Sequence, residues 1–210
     1  MREPSYTRLQ VDERRRQLLE LGADLFPRHD YESLSMAAIA AEGGISKALL
    51  YHYFPSKQAF FEETLRAAAE EITALTEPAE GVPPLEALAA SVDAYLAWVE
   101  RKPAAYEKLI RSAGGNSDLQ AIVEGVRAKS ADRILGELAH DRRDDPRLRV
   151  AVRSWLWLMD GAILDWLEHR DLAREELRDY LLGALAGSLA AGGGADLLAP
   201  HAERPEGTTG

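Results

Sequence analysis

The stretch GGISKALLYHYFPSK, residues 43–57, packs a glycine pair, two serines, three aromatic rings, a histidine and two lysines into fifteen positions. Ser46 and Ser56 each stand just before a run that can be helical, where a hydroxyl can accept from an amide of the first turn. Pro55 stops the helix that Ser46 opens, and Gly43 and Gly44 end whatever precedes it. Upstream, Ser35 is placed to cap another short helix, with Ile39 and Ala40 turned inward. Before that, Arg14 to Phe26 sets Leu18, Leu19, Gly22, Ala23 and Phe26 on one side, and Pro27 predicts a helix end close by. Two short helices joined by a glycine turn and braced by an earlier helix make a helix-turn-helix.

Downstream the chain stays helical. Ser56 opens a long helix predicted to reach about Thr76, and the segment EPAEGVPP, residues 77–84, cannot continue it. Leu85, Leu88, Val92, Leu96 and Val99 then form one apolar stripe. After a turn at Ala113 to Asn116, Leu119, Ile122, Val126, Ile134 and Leu138 form another. Punctuation recurs at Asp144 to Pro146. Val150 to Glu168 is strongly apolar, with three tryptophans, and Leu177 to Leu189 sets leucines among Gly183, Ala184, Ala186 and Gly187. No alternating strand pattern competes, so the fold class expected is all α. The divisions expected are an arm at 1–10, a helix-turn-helix domain at 11–58 linked through helix 56–76, a helical domain at 77–191, and a disordered tail at 192–210.

Composition narrows the class further. The chain has 210 residues, 46% of them hydrophobic, no cysteine and a net charge of −10. Residues 1–60 contain eight Lys/Arg and eight Asp/Glu, so the whole excess of acid lies beyond residue 60. That asymmetry predicts two halves with different work, the first of them permissive for DNA. No apolar run approaches the roughly 20 residues of a membrane span, and the N-terminus lacks an apolar signal segment. A cytoplasmic location is expected, and the absence of cysteine fits a reducing compartment.

The segment from Ser35 to Leu65 resembles the DNA-binding region of the TetR family of transcriptional regulators. Ser35, Ile39, Ala40, Gly43, Gly44, Ile45, Ser46, Leu50, Tyr51, Tyr53, Phe54 and Lys57 occupy that family's usual run. Gly43 stands where alanine is usual, and Asp30 where a glycine commonly ends the first helix. The resemblance implies a three-helix, helix-turn-helix DNA-binding domain followed by a larger helical ligand-binding and dimerisation domain. It also implies a homodimer, a small-molecule effector that changes the spacing of two reading heads, and a repressor that leaves a palindromic double-stranded operator when the effector binds.

The DNA-binding residues expected are Ser35, Ser46, Lys47, Ala48, Leu49, Tyr51, His52 and Lys57. The serines cap helices whose first amides and dipoles attract phosphate. Lys47, Ala48 and Leu49 open the second helix, where side chains reach base edges, and Ala48 and Leu49 offer only methyl contacts. Tyr51, His52 and Lys57 are placed for phosphates.

In the second half, Trp155, Met159, Ile163 and Trp166 share one helical face and Leu156, Asp160, Ile163 and Leu167 an overlapping one, so a helix apolar over so wide an arc must be buried on more than one side. Its expected partner in a four-helix dimer contact is the stripe Leu177, Leu181, Leu185 and Leu189, which places the homodimer contact at about 150–190. Asp160 needs a partner if buried; it either meets an arginine such as Arg153 or faces solvent. Tyr95, Trp98, Tyr106, Ile110, Trp155, Met159 and Asp160 are the expected pocket, suited to a largely apolar ligand with one polar anchor.

Enzymatic chemistry finds no foothold: there is no HExxH, no cysteine nucleophile and no phosphate-cradling loop, and the histidines at 29, 52, 140, 169 and 201 lack ligand spacing. No catalytic residue, metal or cofactor is therefore expected. A helical adaptor that binds only protein is the alternative, and it would lack salt-sensitive DNA affinity.

Overall fold

A computed structural model describes residues 4–29, 31–113 and 117–198, with side chains described for 11–29, 31–111 and 120–198. Every regular element among the described residues is helical: α1 (Pro4–Arg28), α2 (Met36–Glu42), α3 (Lys47–Tyr53), α4 (Lys57–Leu75), α5 (Pro84–Arg101), α6 (Pro103–Ala113), α7 (Ser117–Leu138), α8 (Pro146–His169) and α9 (Arg174–Ala191), with short 3₁₀ turns at His140–Arg142 and Ala195–Leu198.

The chain divides into two compact units. The first holds residues 1–77 and 97–126, and the second holds 78–96 and 127–210. Residues 97–126 group with the unit that holds the helix-turn-helix. Within that unit α6 packs on α1, and Lys108 donates to the His29 carbonyl at 3.0 Å.

The ends also differ from expectation. Helix α1 begins at Pro4, so residues 4–10 belong to it rather than to a separate arm. At the other end the chain past Gly192 turns through Gly193 (φ 82°) into the 3₁₀ turn at 195–198. Arg142 holds this turn, donating to the Gly193 carbonyl at 3.0 Å and to Asp196 at 3.2 Å. The disordered tail expected from 192 is therefore folded as far as Leu198. Residues 1–3, Asp30, Gly114–Asn116 and 199–210, His201 among them, lie outside the described residues.

The first unit is centred on Leu18, Leu25, Phe26, Leu34, Met36, Ile39, Ala40, Leu50, Phe54 and Phe60. Gly22 lets α1 and α4 approach closely: a Cβ there would lie 2.5 Å from Thr64 Oγ1 and 2.9 Å from Phe60 Cζ. Pro27 lies inside α1 one residue before its end, where it forfeits one amide donor to the preceding turn.

In the second unit α9 packs on α8. The Trp155 indole donates to the Leu181 carbonyl at 2.7 Å, and Trp166 donates to the Leu172 carbonyl at 2.9 Å. Leu177, Leu181, Leu185 and Leu189 are all buried within the chain. The expectation that they face a second subunit is therefore corrected, because their four-residue spacing lines them against α8.

Candidate nucleic-acid interface

Three serine caps set the geometry of the helix-turn-helix. Ser35 Oγ accepts from Ala38 N at 3.1 Å, Ser46 Oγ from Leu49 N at 3.1 Å, and Ser56 Oγ from Ala59 N at 3.0 Å. Each satisfies an amide that the helix itself leaves unpaired.

Between α2 and α3 the chain makes a Schellman turn. Ile45 N donates to the Ala40 carbonyl at 3.0 Å and Gly44 N to the Ala41 carbonyl at 3.1 Å, with Gly44 left-handed at φ 62°. Gly44, not Gly43, is thus the residue whose backbone requires glycine. Gly43 has ordinary helical torsions, and a Cβ there would meet Leu21 Cδ2 at 2.9 Å.

The placement of α3 is fixed from behind. Leu50 and Phe54 are wholly buried, and Phe54 lies 4.8 Å from Phe60 in an edge-on contact. The guanidinium carbon of Arg15 on α1 lies 5.2 Å from the Phe54 ring centroid, and Arg15 forms an ion pair with Glu63 of α4. These contacts tie α1, α3 and α4 together, so the outward face of α3 is presented on a rigid base.

That face holds the predicted residues. Ser46, Lys47, Ala48, Leu49, Tyr51 and His52 are all exposed, and Leu50 is the buried exception between them. With about 100° between successive residues, Ala48 and His52 lie opposite Leu50. Leu49 forms one flank of the face, and Lys47 with Tyr51 the other. The Lys47 ammonium rests 5.8 Å from the Tyr51 ring centroid, at the outer limit of a cation–π contact. Ser35 is exposed at the start of α2.

Lys57 has a partner that sequence reading missed. Its ammonium donates to the Tyr31 carbonyl at 2.7 Å and lies 4.1 Å from the Tyr31 ring centroid. It therefore clamps the loop between α1 and α2. An ammonium carries three donors, so this tie is compatible with a phosphate contact. Burial, with the charges of Glu32 and Glu62 nearby, pushes the Tyr31 phenol above its ordinary pKa.

The seven expected pocket residues are divided between the units. Trp98, Tyr106 and Ile110 belong to the first, and Tyr95, Trp155, Met159 and Asp160 to the second. Trp155 is core, with its indole N–H spent on Leu181. Asp160 is buried and pairs with Arg127: Arg127 Nε donates to Oδ2 at 3.0 Å, and a second guanidinium nitrogen bonds the same oxygen. Trp98 is 2% exposed, and its Nε1 is buried without a hydrogen-bond partner among the described residues. A donor so placed costs about 1–3 kcal/mol until an acceptor reaches it, which makes Trp98 the most informative of the seven.

Among the described residues no three His, Asp or Glu side chains gather as a metal site. No helix of the described residues is long and apolar enough to cross a membrane.

Comparison with known proteins agrees with this geometry. The pattern of bacterial regulatory proteins of the tetR family matches residues 18–64, and that of a tetracyclin repressor-like C-terminal domain matches residues 84–187. A tetR-family transcriptional regulator from Streptomyces coelicolor is 32% identical, with a TM-score of 0.76 over 88% of this chain and 84% of that one. A TetR-like transcriptional regulator from Rhodococcus sp. RHA1 shares the fold, with a TM-score of 0.66 at 23% identity over 84% of this chain and 96% of that one. An uncharacterized HTH-type transcriptional regulator of Mycobacterium tuberculosis, Rv0472c, is 28% identical over 86% of this chain and 81% of its own length.

Proposed function

From the premise that the chain belongs to the tetR family of bacterial transcriptional regulators, we propose that it is a cytoplasmic repressor, released from a palindromic operator by a small, largely apolar ligand. The observation that carries the DNA half of this reading is the outward face of α3. Its polar and apolar side chains project together from a helix whose other side is locked by Leu50 and Phe54. A helix so held can enter a major groove, with Lys47, Ala48 and Leu49 at base edges and Ser35, Ser46, Tyr51, His52 and Lys57 toward the backbone.

The homodimer uses the outer faces of α8 and α9. Trp157 is 56% exposed and Tyr180 57%, with Val150 and Leu158 also open. A Cβ added at Gly161, Gly183 or Gly187 would meet nothing within 4 Å, so a second pair of helices can come close there. Large apolar side chains beside such small residues suit a two-fold, four-helix contact. Two reading heads then require half-sites separated by whole helical turns, roughly 34–36 Å each.

For the effector, the orphaned indole N–H of Trp98 supports a ligand that brings one hydrogen-bond acceptor to an otherwise apolar site.

Selection of bound duplexes from a random library, followed by anisotropy titration at two salt concentrations, tests the reading. A palindrome bound with steep salt dependence is the expected result, since neutralised phosphates release counterions. A folded dimer that enriches no sequence and shows no salt-sensitive affinity is an adaptor instead.

A further inference from the structure

The exposed residues of α3 are Lys47, Ala48, Leu49, Tyr51 and His52. None is Arg, Asn, Gln, Asp or Glu. Those side chains, together with lysine, make the strong hydrogen bonds that tell one base pair from another: arginine or lysine on guanine, asparagine or glutamine on adenine, a carboxylate on cytosine, and of this set α3 exposes Lys47 alone. The two hydrogen-bonding groups nearest the helix start, Lys47 and Tyr51, share one flank, with the ammonium 5.8 Å from the ring centroid. The opposite flank is Leu49, 38% exposed, with its backbone amide pinned by Ser46 Oγ. Ala48, at the centre of the outward face, adds a methyl and no bulk, which lets the helix backbone come near the base edges.

A lone exposed leucine is ordinary on any protein surface. Here it stands on the first turn of the helix that reads DNA, the turn whose side chains contact base edges. In the major groove the feature an aliphatic side chain can recognise is the C5 methyl of thymine.

Resting on the DNA-binding reading above, we infer that each operator half-site presents thymine methyl groups to Leu49 and Ala48, and that this apolar contact is the main base discriminator. The partner chemistry is thus an A·T-bearing half-site read by shape and methyl contact, with Lys47 as an auxiliary donor.

The test uses the full-length protein and the duplex selected above, in which each thymine of a half-site is replaced in turn by deoxyuridine. That change removes the methyl and leaves every hydrogen-bonding group in place. At one or two positions per half-site affinity is expected to fall roughly three- to fivefold, the factor for one buried methyl. The Leu49→Ala variant, checked for helicity, should bind thymine and deoxyuridine duplexes alike at the position Leu49 covers. Half-sites dominated by G·C, or a tight palindrome indifferent to every deoxyuridine, would overturn the inference and leave the repressor reading standing. Absence of any salt-sensitive DNA affinity overturns both.

Discussion

Arg127 on α7 grips the carboxylate of Asp160 on α8 through Nε at 3.0 Å and a second nitrogen, while its guanidinium carbon lies 4.1 Å from the Trp157 ring centroid. The two side chains are 13% and 10% exposed, so neither charge is well solvated. Removing one partner from a buried pair strands the other, at a cost of about 3–5 kcal/mol. Arg127→Ala should therefore shift the urea midpoint strongly. Arg127→Met with Asp160→Leu should recover most of the loss, because the stranded charge is gone. A single-variant cost below about 1 kcal/mol, typical of an exposed pair, would show that water reaches the site.

Two glycines of the first unit are predicted to fail for different reasons. Gly22→Ala puts a Cβ 2.5 Å from Thr64 Oγ1 and 2.9 Å from Phe60 Cζ, so these side chains or the helices that carry them must shift. A loss of about 1–3 kcal/mol is expected from overpacking, less whatever the better helix former returns. Thr64→Ala added to it should relieve part of that loss. Gly44→Ala meets no atom within 4 Å, yet its φ is 62°. Its cost is backbone strain of about 1–2 kcal/mol, and Gly44→Asn should be milder. Thermal unfolding of the four variants separates steric from torsional cost.

His169, in the last turn of α8, should titrate above its ordinary 6.5, first because of its hydrogen bond with the Asp165 carbonyl at 3.0 Å and then because of the Asp165 carboxylate. The sign follows from the raised folded-state value: whatever stability the proton confers is present below about pH 6.5 and is lost as pH rises through the folded midpoint. The ring is well exposed, so the effect is read in an NMR titration rather than in unfolding. Asp165→Asn should lower the midpoint only part-way, since the carbonyl remains. A midpoint at or below 6.5 in the native protein would show that the hydrogen bond does not form in solution.

What the sequence disclosed was local, and what it hid was distant. Ser35, Ser46 and Ser56 were legible as caps because each bonds an amide three residues on, and Gly44 because a turn of that kind demands a left-handed residue. Asp160 was legible as a group in need of a partner. Arg127, 33 residues earlier, was not, since no periodicity links positions on different helices. The leucines of α9 show the same limit: their spacing defines a stripe but not whether α8 or another subunit covers it. The turn at 195–198 depends on Arg142, which is 54 residues from Asp196, and composition there suggested only disorder.

Lys57 tests whether one side chain serves both the fold and the DNA. Its bond to the Tyr31 carbonyl and its position 4.1 Å from the Tyr31 ring hold the loop that leads into α2. Lys57→Ala removes both ties, and thermal unfolding should fall by a few degrees, in line with about 1 kcal/mol in a chain of this size. If the ammonium also meets a phosphate, affinity should weaken for cognate and scrambled duplexes alike, and the slope of log K against log salt should shrink by about one for each phosphate no longer neutralised. Tyr31→Leu is the discriminating control. It keeps the carbonyl and the ammonium but removes the aromatic face, so it should cost stability with the salt slope intact. A Lys57→Ala variant whose slope also stays intact would make Lys57 a clamp on the loop, acting on DNA only through the placement of α2.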